Sequence, residues 1–300
     1  MKTRIFLSLL FVILFTKSEH LFSGSSIEKT SYQFINEPID VIIPCAKKDS
    51  TMLHSCIEGI KKHCLNVNRI IVVSPYRFTS NAEWFDESLF PFSKWEVAYY
   101  LNQQDVEDTN LFLKKKHCRA GWYYQQLLKL YASFIIPNIS SNLLIVDSDV
   151  VFLNPVDFLN SIGGGLYNAG TEFHIPYFTH AKKLIPGFTR NHLNFSGITH
   201  HMLFQRAVLE DLFSVVEKAH NMDFWKAFCL LVDPAHRDFS GASEYEIYFN
   251  FVLSRSDQIN IRLLNWDNSH DVKKIQEYQK ANYHYIAFHD YMLNPENYKD

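Results

Sequence analysis

Leu143-Leu144-Ile145-Val146-Asp147-Ser148-Asp149-Val150-Val151-Phe152-Leu153 is the stretch that decides how this 300-residue chain reads. Four consecutive apolar residues suit a strand covered on both faces. Two carboxylates at i and i+2 follow at once. On a continuing strand they would point to one face. At the carboxyl end of a strand they can converge on one ion. Paired carboxylates are hard oxygen ligands, suited to a Mg²⁺ or Mn²⁺ that also holds a diphosphate. Such an ion neutralises charge on a phosphate leaving group. An Asp-Ser-Asp turn that merely caps a strand would have the same letters, so the surroundings must decide.

Upstream, Asp40–Pro44 reads as a short β-branched strand ending at proline. Ser50 to about Cys64 reads as a helix, with Met52, Cys56, Ile57 and Ile60 at helical spacing. Asn68–Val73 is a second strand, residues 83–91 are irregular, and Trp95–Tyr100 is a third strand. A helix from about Gly121 to Ile136 stops at Pro137 and leads into the quoted strand. Apolar strands alternating with helices predict an α/β fold, a Rossmann-type, mostly parallel sheet flanked by helices. In such sheets ligands sit beyond the carboxyl ends of the strands, here after Pro44, Val73, Tyr100 and Val146. The second half predicts irregular α+β structure: a loose segment over 161–187, helices at 201–218 and 243–255, and strands at 261–264 and 285–288. No linker or repeat divides it, so 39–300 reads as one domain and 25–38 as a leader or tether.

Composition narrows the classes. The chain has 29 basic and 32 acidic residues, a net charge of −3, which argues against a nucleic-acid binder held by phosphate contacts. At 47% hydrophobic and 20% charged it is not disordered. Its 25 Phe and 16 Tyr predict a large, filled core. Met1-Lys2-Thr3-Arg4 is basic, Ile5–Phe15 is apolar, and polar residues follow. Residues 1–24 therefore read as a signal peptide, or as an anchor that associates the N-terminus with a membrane. The apolar run covers only about 17 Å of a hydrocarbon core about 30 Å thick, which favours export or the secretory pathway. The five cysteines include no CxxC and read as buried small hydrophobes rather than a disulfide framework.

Other residues carry possible chemistry. Trp122, Gln126 and Lys129 share a helix face at i, i+4 and i+7. With Gln125 they could bond a nucleotide or the carboxylate loop, and Arg119 and Lys129 could offset diphosphate charge. The alternative is an ordinary solvated face. Gly197-Ile198-Thr199-His200-His201 offers adjacent imidazoles for a sugar hydroxyl or a proton transfer, or a plain cap region. Glu244 and Glu246 follow Ser243, and a capped first turn explains them as well as a general base does.

Four stretches together, Gly121–Lys129, Leu143–Pro155, Gly197–Met202 and Ser243–Glu246, resemble the GT-A glycosyltransferases. Within them the likeness is to a little-characterised family, DUF6492, over roughly residues 38–295. The resemblance implies a metal-dependent transfer of sugar from a nucleoside-diphosphate sugar to an acceptor hydroxyl on a glycan, lipid or protein. It implies that Asp147, Asp149 and, near the C-terminus, His289 hold Mn²⁺ or Mg²⁺, with Ser148 beside the donor. It also implies that the loop after Pro44, with Lys48 and Asp49, meets the base and ribose. An acidic base, Glu244 or Glu246, fits inverting transfer. The other readings are a non-catalytic nucleotide- or carbohydrate-binding protein on the same fold, and a haloacid-dehalogenase-like phosphatase. The phosphatase would need its Asp pair early and a later acidic pair, where only Glu244-Tyr245-Glu246 follows.

Overall fold

The computed structural model describes residues 28–289 and Leu293. At its centre lies β1 (Ile39–Pro44), with every side chain buried. Its one charged member, Asp40, accepts hydrogen bonds from Asn68 Nδ2 (2.9 Å), the Arg69 amide (3.1 Å) and the Ser140 amide (2.9 Å). Those bonds allow a carboxylate to sit inside.

α1 (Ser50–His63) crosses from β1 to β2 (Val67–Ser74), and β3 (Glu83–Asp86) adds one edge. α2 (Lys94–Leu101), α3 (Val106–Lys114) and α4 (Ala120–Ile135) then lead to β4 (Asn142–Val146) on the other side of β1. β3, β2, β1 and β4 are parallel in that order. The strand order reverses between β1 and β4, the crevice where open α/β sheets take their ligands.

β5 (Val150–Phe152) begins one turn after β4 and leaves the main sheet. β6 (Leu166–Asn168), α5 (Ile175–Leu184) and β7 (His201–Gln205) follow, and β7 closes the main sheet antiparallel to β4. α6 (Arg206–His220), α7 (Phe224–Leu230) and α8 (Glu244–Arg255) precede β8 (Asn260–Arg262), which pairs with β6. β9 (Trp266–Asn268), α9 (Ile275–Lys280) and β10 (Tyr285–Ala287) complete the described elements. β10 lies between β5, antiparallel to it, and β9, parallel to it. α1 packs hard on β5 at Gly59, where a Cβ would come within 2.8 Å of the Phe152 carbonyl oxygen.

The mixed α/β architecture with a mostly parallel central sheet matches the sequence expectation. Two elements correct it. Trp95–Tyr100 is helical, within α2, because Ser93 and Glu96 form a capping box: Ser93 Oγ accepts from the Glu96 amide, and Glu96 accepts from the Ser93 amide. That local bonding outweighs the strand preference of a Trp-Val-Tyr-Tyr composition. The helix expected from His201 starts only at Arg206, because the five apolar-rich residues before it supply β7, a full edge to β4. The irregular segments at 83–91 and 161–187 hold β3, and β6 with α5.

Residues 28–38 carry no helix or strand, but Tyr32 is buried and its hydroxyl donates to Asp211 (2.6 Å). The expected signal or anchor, residues 1–24, lies outside the described residues. Among the described residues no helix is long and apolar enough to cross a membrane. All five cysteines are free, and four are buried.

Candidate active site

Strand register assembles the site. In the β4–β7 pair Val146 lies opposite His201, so the next residue on β4's side, Asp147, meets His200: the Asp147 amide donates to the His200 carbonyl at 3.0 Å. In the β5–β10 pair Val150 lies opposite Ala287, and the Phe288 amide donates to the Asp149 carbonyl at 2.9 Å. His289 thereby reaches Asp149. Two antiparallel pairings, one on each side of a two-residue turn, bring one imidazole to each carboxylate.

His289 Nδ1 is 3.1 Å from Asp149 Oδ2, and His200 Nδ1 is 3.8 Å from Asp147 Oδ2. The two imidazole rings are 4.7 Å apart, and His200 also meets the Trp266 ring at 5.3 Å. Burial pushes the Asp149 carboxyl up, but the hydrogen bond and charge of His289, with His200, outweigh it and hold it below the ordinary value. Burial pushes His200 down to about 4, so its ring is neutral near pH 7.

His200 takes a left-handed backbone conformation (φ 61°) just before β7, and it and His201 face opposite sides. His201 goes into the core, its Nδ1 3.0 Å from the Thr199 carbonyl and its ring edge-on to Tyr285. Burial lowers its pKa to about 3. The adjacent pair is thus one site residue and one core residue.

Lys129 is buried beneath the carboxylates. It is 3% exposed, and its Nζ stands 2.5 Å from both Asp147 Oδ1 and Glu244 Oε1. Burial opposes a charged ammonium, but the two carboxylates outweigh it and hold Lys129 protonated, above its ordinary range. The same Nζ lies 4.4 Å over the Tyr245 ring, and the Tyr245 hydroxyl donates to Asp147 Oδ1 at 3.3 Å. Tyr245 is a site residue the sequence reading passed over, although it stands between the two glutamates it named.

The face of α4 that carries Lys129 binds protein. Arg119 donates from Nε to the Phe239 carbonyl (3.2 Å) and from Nη2 to Ser240 Oγ (3.1 Å), with its guanidinium 4.5 Å over Trp122. Trp122 stacks on Tyr177 on α5 (6.2 Å). Tyr123 Oη accepts from the Gly241 amide (3.0 Å). Gln126 donates to the Ala242 carbonyl (3.4 Å) and accepts from the Glu244 amide (3.0 Å). These bonds fasten residues 236–244 along α4, so α8 starts with Glu244 beside Lys129. Both ends of the Gln126 amide are thus engaged by backbone.

Glu246 is fully buried. Its Oε1 accepts from the Gly197 amide (3.0 Å) and its Oε2 from Asn250 Nδ2 (2.9 Å). Burial pushes its pKa up to about 7. It clamps the Gly197–His200 loop to α8, and a Cβ on Gly197 would strike the Tyr245 carbonyl oxygen at 2.7 Å. Ser243 caps α8 by accepting from the Glu246 amide.

At the carboxyl end of β1, Gln125 Nε2 donates to the Pro44 carbonyl (3.4 Å). Lys48 and Asp49 lie in the following single turn, paired at 3.1 Å. Ser148 is buried in the carboxylate turn and hydrogen-bonds the Cys45 thiol, whose pKa burial pushes up to about 12. The ends of β1 and β4 thus share one crevice.

The donor set suits a hard divalent ion. Asp149 Oδ1 and His200 Nε2 are each buried without a hydrogen-bond partner, and a cation at Asp149 would satisfy the carboxylate oxygen. Among the described residues no three acidic, imidazole or thiol groups already converge on one point.

These features define an open α/β protein with a carboxylate-imidazole crevice at its strand-order reversal. The chain belongs to the family of unknown function DUF6492, whose model matches residues 39–284. No curated protein matches it by sequence. Among solved structures it is similar to mouse xyloside xylosyltransferase 1 in its apo form, at 11% identity and a TM-score of 0.38, over 83% of this chain and 97% of that one. It is also similar to the apo WbbM bifunctional glycosyltransferase, at 12% identity and a TM-score of 0.40, over 86% of this chain and 47% of that one. Likeness at these scores assigns no substrate or reaction.

Proposed function

We propose that the protein is a glycosyltransferase that takes its sugar from a nucleoside-diphosphate donor and uses Mn²⁺ or Mg²⁺. The observation that carries the reading is Asp149 Oδ1, a buried carboxylate oxygen with no partner, beside His289 at the carboxyl end of a parallel sheet. Such an oxygen costs free energy unless a cation or donor meets it.

In this reading Asp147, Asp149 and His289 hold the ion, with His200 at its side. When bound, the ion supplies positive charge against the departing diphosphate. Lys48 and Asp49, after β1, meet the ribose and phosphates, and the Pro44 carbonyl is held in place by Gln125. Glu244 and Glu246 have holding roles: the first anchors Lys129, the second anchors Gly197. The acceptor hydroxyl enters over the crevice and attacks the anomeric carbon as the bond to the phosphate oxygen breaks, and its proton passes to the departing phosphate oxygen.

The test is calorimetric titration of the full chain and of Asp149→Ala with UDP-, GDP-, CMP- and ADP-sugars, with Mn²⁺ and with chelator. The reading expects one donor to bind only with metal, and that binding to vanish in the variant. Binding with no transfer or slow donor hydrolysis would instead make this a nucleotide-binding protein. No binding to any donor would refute the reading.

A further inference from the structure

Lys129 is an unusual neighbour for a metal-binding carboxylate. Its ammonium touches the same Asp147 that the reading above assigns to the ion, and its 3% exposure leaves it no route into solvent. The second partner, Glu244, is as close, and Tyr245 Oη also donates to Asp147 Oδ1. Asp147 therefore has one oxygen engaged by two donors and only Oδ2 left for an ion. A cation at that oxygen must share the carboxylate with a fixed positive charge.

A requirement for stability does not explain this arrangement. Replacing a buried ion pair by apolar groups of similar volume is often neutral or stabilising. Charge does supply a reason. Asp147, Asp149 and Glu244 are three carboxylates around one fixed ammonium, so the cluster keeps a net negative charge even with the His289 imidazole beside Asp149.

We propose that Lys129 is a built-in competitor for the ion, which holds the metal affinity of the empty site below what its two aspartates would give alone. The proposal rests on the metal reading of Asp147 and Asp149. Its consequence is that a divalent ion is retained firmly only when a diphosphate supplies further ligands.

Two variants separate local competition from overall charge. Glu244→Gln leaves Lys129 with Asp147 alone and removes one negative charge, so Mn²⁺ binding should weaken at least threefold. Lys129→Met combined with Glu244→Gln removes one charge of each sign. Its net charge equals that of the wild type, so attraction by overall charge expects no change. Release of Asp147 expects Mn²⁺ to bind at least tenfold more tightly.

The experiment titrates the full chain with Mn²⁺ alone and counts free ion by electron paramagnetic resonance, with circular dichroism to confirm folding. Tighter binding in the double variant supports the proposal, and equal or weaker binding overturns it. If the double variant does not fold, Glu244→Gln decides: unchanged or tighter binding overturns the proposal. Asp149→Ala is the control. If it binds Mn²⁺ like the wild type, the ion is not at this motif, and the metal reading fails together with the proposal.

Discussion

Asp149 and His289 are 140 residues apart in sequence and 3.1 Å apart in space, and backbone pairing of β5 with β10 puts them there. The imidazole stands two residues past the end of β10, brought to Asp149 by that pairing and by the bond from the Phe288 amide to the Asp149 carbonyl. If it is a ligand, His289→Gln should leave the fold intact and weaken Mn²⁺ at least about tenfold, the scale on which metal sites respond to loss of supporting groups. Unchanged affinity by calorimetry would remove His289 from the site.

Gly59 lets α1 lie against β5. In Gly59→Ala the new methyl would sit 2.8 Å from the Phe152 carbonyl oxygen and 2.9 Å from its amide nitrogen, both backbone atoms. Overpacking of this kind costs about 1–3 kcal/mol. Urea unfolding should show that loss. Metal affinity should fall too, because β5 starts directly after Asp149.

Glu246 should leave a signature in stability against pH. Burial raises its pKa from 4.5 to about 7, so the folded protein keeps a proton that the unfolded chain has released. Its contribution is fully present below pH 4.5 and is lost as pH rises through about 7. In Glu246→Gln this dependence disappears. Across that window the wild type should lose on the order of 3 kcal/mol relative to the variant. Thermal melts of both proteins across the window check it, and parallel curves would refute it.

The capping box of α2 gives a local test. Ser93→Ala removes the acceptor for the Glu96 amide and should cost about 1 kcal/mol. Donor binding should not change, since Ser93 and Glu96 bond each other and no carboxylate or imidazole of the crevice. A loss near zero in chemical denaturation would show that the helix does not depend on its cap.

Much of this was legible beforehand. The apolar runs at β1, β2 and β4 read directly as buried strands, and the paired carboxylates read directly as a strand end facing a crevice. What escaped has physical causes. Lys129 and Glu244 are 115 residues apart, and no local periodicity reveals that a lysine on a helix face will find a buried carboxylate there. Arg119, Trp122 and Gln126 looked like ligand groups because their types suit a nucleotide; the same types suit backbone recognition equally well. His200 and His201 looked equivalent, and only the fold separates them, the first meeting Asp147 and the second Tyr285. The helix at Trp95 was visible in Ser93-x-x-Glu96, a signal that side-chain composition masked.

The pairing of β10 with β5 spans three residue pairs, Tyr285 with Phe152, Ile286 with Val151 and Ala287 with Val150. Side chains alternate across a strand, so a slip of one residue would turn His289 to the far side and bring Phe288 toward Asp149. Helix content and most of the core would look the same. On the proposed metal reading, ion capture is therefore a stricter signal of correct strand pairing than any bulk measure of foldedness. A preparation can look fully folded and still divide into competent and misregistered molecules that only metal titration tells apart.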